Sequence, residues 1–125
     1  MQYLLLIYQN EAQAGAATPA QMAAMHQEYG SFTQGIVKSG NFKAGDALQP
    51  TSTATTVKVR DGKTITTDGP FAETREQLAG YYILECKDLD EAIEWAKRIP
   101  TSCKGGEGCI EVRPVAEIPR PLLRE

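Results

Sequence analysis

A short loop carries the side chains best suited to acid–base chemistry. Residues 67–82 read TDGPFAETREQLAGYY, so that Asp68 and Glu73 flank the turn formed by Gly69, Pro70 and Phe71. An ordered loop can hold such carboxylates at the mouth of a cavity between sheet and helices. The two could work as an acid and a base only if burial separated their pKa values. The alternative is a structural loop whose Phe71 packs on the core or on a partner subunit.

Three further side chains are candidates for contacting a ligand. His26 is the only histidine and lies on the first predicted helix, where it is either a half-exposed residue or a functional imidazole. Arg113 alternates with Glu111 onto one face of the last predicted strand, which indicates an ion pair, an intersubunit pair or an anion-binding arginine. Tyr81 lies in the strand that follows the loop and completes the set of predicted pocket residues.

Neither a metal centre nor a cofactor site is expected. Cys86, Cys103 and Cys109 contain no CxxC pair and are predicted to be reduced thiols, and a single histidine cannot complete a zinc site. The glycine-rich segment 105–108 lacks the spacing of a phosphate-binding loop and precedes a strand instead of a helix.

Composition restricts the class of protein. The chain has 125 residues, of which 42% are hydrophobic and 23% are charged, with a net charge of -3. This predicts one soluble domain. There is no apolar run long enough to span a membrane, no basic stripe for direct binding of nucleic acid, and no basic segment before the first apolar run. We therefore expect a cytoplasmic protein.

Periodicity and capping residues predict the elements that must position these side chains. Thr18, Pro19 and Gln21 form a helix start with a capping box, Gly40 ends that helix, and Asp61-Gly62 is a strong hairpin signal. Strands are predicted at residues 3–8, 42–48, 53–60, 63–67, 78–86 and 109–115, helices at 19–39 and 89–99, and a short helical turn at 73–75.

Each predicted helix has an apolar stripe expected to be buried. The stripe of the first helix comprises Met22, Met25, Tyr29, Phe32 and Ile36. The stripe of the second comprises Leu89, Ala92, Ile93, Ala96 and Ile99.

The order of elements is a β-α-β-β-α-β plan with an extra hairpin, which is the ferredoxin-like arrangement of the α+β class. It predicts one domain over residues 1–115, an extended arm at 116–125, and an antiparallel sheet with both helices on one face. The strands at 3–8 and 78–86 are apolar on both sides, so the other face also needs a cover. We expect that cover to be a second copy of the chain, forming a homodimer.

The loop, the opening MQYLLLIY, residues 53–62 and residues 110–115 together resemble the YCII-related family and its DGPF signature. The resemblance implies a dimeric α+β barrel. Members are often described beside extracytoplasmic-function sigma factors, and distant relatives have been proposed as enzymes that use a helix histidine and a following aspartate. Here that pair corresponds to His26 and Asp46.

Three functional hypotheses follow for an otherwise uncharacterised family member. The homodimer could be a small enzyme with a small-molecule pocket, around which His26, Asp46, Asp68, Glu73 or Arg113 act. It could instead be a ligand-sensing or accessory module of a sigma-factor-type regulator. In the third, the loop only completes the dimer.

Overall fold

Residues 1–100 and 108–119, which the computed structural model describes, form six strands, three α-helices and one turn of 3-10 helix. They are β1 (Gln2–Gln9), α1 (Glu11–Gly15), α2 (Pro19–Ser39), β2 (Phe42–Ala47), the 3-10 turn (Thr51–Thr53), β3 (Thr55–Arg60), β4 (Lys63–Asp68), β5 (Gln77–Glu85), α3 (Leu89–Ala96) and β6 (Gly108–Pro114). Without α1 and the β3–β4 hairpin, the order is β-α-β-β-α-β. The predicted ferredoxin-like plan is therefore confirmed.

The main sheet has the strand order β2-β5-β1-β6 and is antiparallel throughout. β1 and β5 are its two central strands, as their double apolar character predicts. Tyr3, Leu5 and Ile7 of β1 are buried beneath the helices. Leu4 and Leu6 point to the opposite side and are partly exposed. We call this second side, which the helices leave uncovered, the open face.

Local hydrogen bonds set both ends of α2. The Thr18 hydroxyl accepts from the Gln21 backbone N–H at 3.2 Å, and the Thr18 backbone N–H donates to Oε1 of Gln21 at 2.9 Å. This reciprocal pair satisfies donors that have no partner within the helix. Gly40 ends the helix with φ 83°, in the left-handed conformation that glycine adopts without strain.

The β3–β4 hairpin forms a two-stranded sheet of its own. Asp61 and Gly62 form its turn with φ values of 52° and 74°, as the sequence predicts. The base of the hairpin is closed where the Gly69 N–H donates to the Ala54 carbonyl at 2.7 Å. Nearly all its side chains are exposed, including those of Val57 and Val59.

The core lies between the main sheet and the helices α2 and α3. Tyr82 is central to it, because its ring makes edge-to-face contacts with Phe32 and Phe42 at centroid distances of 5.4 and 6.4 Å. Its hydroxyl hydrogen-bonds the Thr33 hydroxyl at 2.8 Å, which fixes α2 to the sheet. The buried apolar residues are Tyr3, Leu5, Ile7, Ile36, Tyr82, Leu84, Cys86, Ala92, Ala96 and Ile99.

The structure corrects the predicted packing of α3. Leu89 and Ile93 are exposed, whereas Ala92 and Ala96 are buried. The row of small alanines faces the sheet, because small side chains allow the helix to pack close to it. The neighbouring row, which carries the larger side chains, therefore faces outward. The helix also ends at Ala96, four residues before Pro100.

Two local predictions also differ from the structure. Residues 73–75 form no helical turn, because the chain runs on into β5 at Gln77, whose side-chain amide donates to the Thr74 carbonyl. Helix α1 was not predicted. Its cap is Asn10, which accepts from the Gln13 N–H at 3.1 Å, but five residues are too few for a periodic signal.

Some predictions concern the rest of the chain. Cys103 and most of the glycine-rich segment lie outside the described residues, as do residues 120–125 of the predicted arm. Residues 116–119 contain no helix or strand. In the described ranges, no helix combines the length and the apolar character needed to cross a membrane.

Leu84 tests whether the sheet–helix core sustains the fold. It is 0% exposed, and Leu84→Ala is expected to lower the free energy of unfolding by about 2–5 kcal/mol through lost burial and a residual cavity. Urea unfolding with an unchanged m-value measures the loss. The matched variant Leu48→Ala, at a position 46% exposed, is expected to change stability by less than about 1 kcal/mol. Equal losses in both variants would contradict this account of the core.

Candidate functional site

A groove of about 1040 Å³ lies between α2 and one end of the main sheet. Its floor comes from β1, β2 and β5, its roof from α2 and its end wall from α1 and the linker to α2. Its volume is at the upper end of the range of small-molecule sites. The side chains that line the floor, the roof and the end wall include Ile7, Gln13, Met22, Met25, His26 and Thr33.

Two glycines form much of the floor, and neighbouring atoms exclude a larger residue at each. A Cβ at Gly80 would lie 2.9 Å from the Asp46 carbonyl oxygen, and a Cβ at Gly45 would lie 2.6 Å from Cδ1 of Tyr82. Both glycines belong to the helix-facing side of the sheet, since Gly45 pairs with Tyr82 and Gly80 pairs with Ile7. The sheet therefore presents bare backbone where side chains would fill the groove.

The roof is the half of α2 that does not pack on the sheet. Of the predicted stripe only Ile36 is buried, whereas Met22 is 49% and Met25 is 36% exposed. The C-terminal half of the helix is fixed by Ile36 and Thr33, and the N-terminal half stands over the groove. The prediction of a fully buried stripe was wrong in this half, and the unfilled space beneath it is the groove.

Polar groups converge on the groove from three elements. His26 comes from α2, Gln13 from α1, and the hydroxyl pair of Thr33 and Tyr82 from the boundary of α2 and β5. These groups can donate or accept hydrogen bonds, and the imidazole can also transfer a proton. Among residues 1–100 and 108–119 there is no cluster of three or more histidine, cysteine or acidic side chains that could hold a metal ion.

Asp46 and Tyr81 contribute to the rim of the groove, but their side chains point to the open face. Asp46 pairs with Tyr81 and is adjacent to Gly45, which faces the helices, so strand alternation turns its carboxylate away from α2. The Tyr81 hydroxyl donates to Oδ2 of Asp46 at 2.9 Å. This hydrogen bond, with the nearby negative charge, raises the pKa of Tyr81. The structure thus gives Asp46 a tyrosine partner and separates its carboxylate from His26.

The predicted site residues of the loop at 68–73 do not line the groove. Asp68 ends β4 and Phe71 is 86% exposed, so Phe71 does not pack on the core of its own chain. The Gly69 carbonyl accepts from the Thr56 hydroxyl at 2.8 Å, which holds the loop to the hairpin. Asp68, Gly69, Pro70, Phe71 and Glu73 are not among the described residues that line the groove.

Arg113 lies on the open face with Glu111. Its Nε donates to Oε2 of Glu111 at 2.8 Å, and the two form an ion pair. In the register of the sheet, Glu111 lies beside Leu6 and Arg113 beside Leu4. Of the predicted site residues, the structure places His26 at the groove, Asp46 and Tyr81 at its rim, and Arg113 on the other side of the sheet.

Sequence reasoning missed Thr33, Tyr82 and the two floor glycines. Thr33 and Tyr82 are far apart in the chain, and only the packing of α2 on β5 brings their hydroxyl groups together. A signal was nevertheless present for the glycines. A glycine inside a strand pattern, as at Gly45 and Gly80, indicates a close approach of backbone or ligand.

The hydrogen bond from Tyr81 to Asp46 predicts a measurable change in titration. Asp46→Asn is expected to lower the pKa of Tyr81 toward its ordinary value, because the negative charge that opposes the phenolate is removed. The near-ultraviolet absorbance of tyrosinate reports the titration, and Tyr81→Phe identifies which step belongs to this residue. Glu28→Gln, which removes a carboxylate from the helix side, should leave the step in place. An unchanged Tyr81 titration in Asp46→Asn would contradict the assigned cause.

Two comparisons with known proteins agree on the family. The model of the YCII-related domain matches residues 1–119. An uncharacterized protein of Rhizobium meliloti (strain 1021), named R00369, is 34% identical over 116 residues, which cover 93% of this chain and 93% of that protein. The match includes the sheet, both packing helices, the hairpin and the loop. The chain therefore belongs to the YCII-related family.

Proposed function

We propose that this protein binds a small molecule in the groove beneath α2 and acts as a homodimer. The observation that carries the proposal is the unfilled space under the N-terminal half of α2. Met22 and Met25 remain exposed there, although burying a methionine side chain contributes about 1.5–3 kcal/mol. A bound molecule would cover these side chains and supply the contacts that the sheet does not.

The groove suits a ligand with an apolar body and a few hydrogen-bonding groups. Methionine side chains adapt to different shapes because they are unbranched and flexible. Gln13, His26 and the hydroxyl groups of Thr33 and Tyr82 offer polar contacts around them, and the two hydroxyl groups are held by their mutual hydrogen bond. If the protein is an enzyme, the imidazole of His26 is the group that would exchange a proton with the bound molecule.

Filling the groove tests the proposal. Ala47 ends β2 on the groove-facing side, and Ala47→Trp is expected to place a large ring in the space a ligand needs. We expect at least one compound of a metabolite panel to raise the melting temperature of the wild-type protein, since ligand at a hundredfold excess over its Kd stabilises by about 2.7 kcal/mol. That rise should disappear in Ala47→Trp.

The matched control is Ala23→Trp, on the exposed surface of α2 away from the groove. It introduces the same ring and should keep the ligand response. A response that survives in Ala47→Trp, or a panel with no response in any variant, would contradict the proposed binding site.

The proposed homodimer forms through the open face. Leu4, Leu6, Tyr8, Tyr81 and Ile83 are partly exposed there, across two adjacent strands. Contiguous apolar surface of this kind is typical of an interaction site. A second copy offers the same surface, and twofold association is the commonest form of oligomer.

Leu6→Glu is expected to convert the homodimer to a monomer, because it places a charge in the middle of the open face. Sedimentation velocity distinguishes the two states. Val37→Glu makes the same change at an exposed position of α2 and should leave the dimer intact. A wild-type protein that sediments as a monomer at micromolar concentration would overturn this part of the proposal.

A second candidate is an accessory module of a sigma-factor-type regulator. The hairpin and the loop favour it, because Val57, Val59 and Phe71 are exposed and do not line the groove. Such a surface suits a protein partner. The groove variants separate the candidates: Ala47→Trp would abolish ligand binding in an enzyme or sensor, whereas an interaction module would keep its protein partner.

The proposed compartment of this homodimer is the cytoplasm. Cys86 supports it as a buried thiol next to the end of β5. Desolvation raises the pKa of this thiol, with neighbouring carboxylates adding to the effect, so it remains unreactive. Thiols of this kind persist in compartments that keep cysteines reduced.

A further inference from the structure

A second hollow, of about 590 Å³, opens on the surface between α2 and the turn that follows α3. Its volume is within the range of small-molecule sites. Arg98 lines it from the turn, and Phe32 and Pro100 give it apolar surface. The wall from α2 consists of four residues at helical spacing, Ala24, Gln27, Glu28 and Ser31.

Glu28 and Arg98 bring opposite charges to this hollow without neutralising each other. Both side chains are exposed, and no ion pair joins them in the part of the chain that the structure describes. The carboxylate of Glu94 in α3 pairs with Lys97 at 2.9 Å instead. A ligand that carries both charges could therefore contact the carboxylate of Glu28 and the guanidinium of Arg98 at once.

An aromatic ring holds the guanidinium of Arg98. Its Cζ lies 4.6 Å from the centroid of the Trp95 ring. Trp95 in turn contacts Phe32 edge to face at a centroid distance of 6.2 Å, so α2 and α3 together position the stacked pair. A stacked guanidinium keeps its planar fork of N–H donors, which matches the two oxygens of a carboxylate. Arg98 therefore needs little further ordering to bind a carboxylate.

We infer that this hollow binds a small zwitterion, and the class that fits it is an α-amino acid with an apolar side chain. Arg98 holds the carboxylate through charge-assisted hydrogen bonds, and Glu28 holds the ammonium group. Phe32 offers apolar contact to the side chain, and the Ser31 hydroxyl can donate or accept a hydrogen bond. The inference does not depend on the proposed ligand of the groove.

Three probes with the same phenyl group test the inference. L-Phenylalanine carries both charges, 2-phenylethylamine lacks the carboxylate, and 3-phenylpropionate lacks the ammonium group. We expect L-phenylalanine to bind about fivefold more tightly than either analogue, because each analogue loses one exposed ionic contact. Trp95 is the only tryptophan of the chain and contacts Arg98, so its fluorescence measures the three Kd values. Isothermal titration calorimetry provides an independent measurement.

Two substitutions assign the charges to their side chains. Arg98→Gln should weaken L-phenylalanine and 3-phenylpropionate without weakening 2-phenylethylamine, which has no carboxylate. Glu28→Gln should weaken L-phenylalanine and 2-phenylethylamine without weakening 3-phenylpropionate, which has no ammonium group. The matched control is Lys97→Gln, because Lys97 is a neighbouring cation outside the set of described residues that line the hollow. This variant should leave all three Kd values unchanged.

Equal affinity for the three probes would overturn the inference, as would L-phenylalanine that changes neither the fluorescence nor the heat signal. Losses in the two variants that do not follow the charge of the probe would also overturn it. Ala47→Trp fills the groove and should leave the binding of L-phenylalanine intact. Loss of that binding in Ala47→Trp would overturn the assignment to the hollow, whereas a groove without a ligand would leave it standing.

Discussion

The constraint on which the structure depends is that β1 and β5 are apolar on both sides. Strands of this kind must occupy the middle of a sheet, and each side must be covered. The order β2-β5-β1-β6 satisfies the first condition. α2 and α3 satisfy the second for one side only, through the core around Leu5, Tyr82 and Leu84. The open face carries the rest of the apolar character, which the helices leave uncovered.

Much of this fold could be predicted from local chemistry. The capping box at Thr18, the Asp61-Gly62 turn and the alternation in β1 act within a few residues, and the structure confirms all three. The groove could not be predicted in this way. It depends on how far α2 stands from the sheet, which is set by contacts between distant residues such as Thr33 and Tyr82. Helical periodicity correctly identified Met22 and Met25 as part of one apolar side of α2. It wrongly assigned them to the core, because periodicity does not show how far the helix lies from the sheet.

The candidate site also combines features that the sequence predicts with features that depend on contacts between distant residues. His26 and Asp46 both lie near the groove, yet the alternation of β2 sends the carboxylate to Tyr81 on the other side. Deciding this from sequence would require the register of β2 against β5, and a bulge between Phe42 and Ala44 shifts that register. The same short strand therefore contributes to two surfaces: Gly45 and Ala47 face the groove, while Asp46 faces the open face. The groove and the open face share this edge strand, but its side chains alternate between them.

The close contacts at Gly45 and Gly80 also determine which parts of the groove can change. A side chain at Gly80 is excluded by the main-chain carbonyl of Asp46, and a side chain at Gly45 is excluded by the ring of Tyr82. Neither neighbour can move without disturbing the sheet, so the depth of the groove is a fixed property of the backbone. The roof is different, because Met22 and Met25 extend from a helix surface that tolerates other side chains. The groove can therefore be reshaped by exchanging residues on α2, above a base whose shape stays the same.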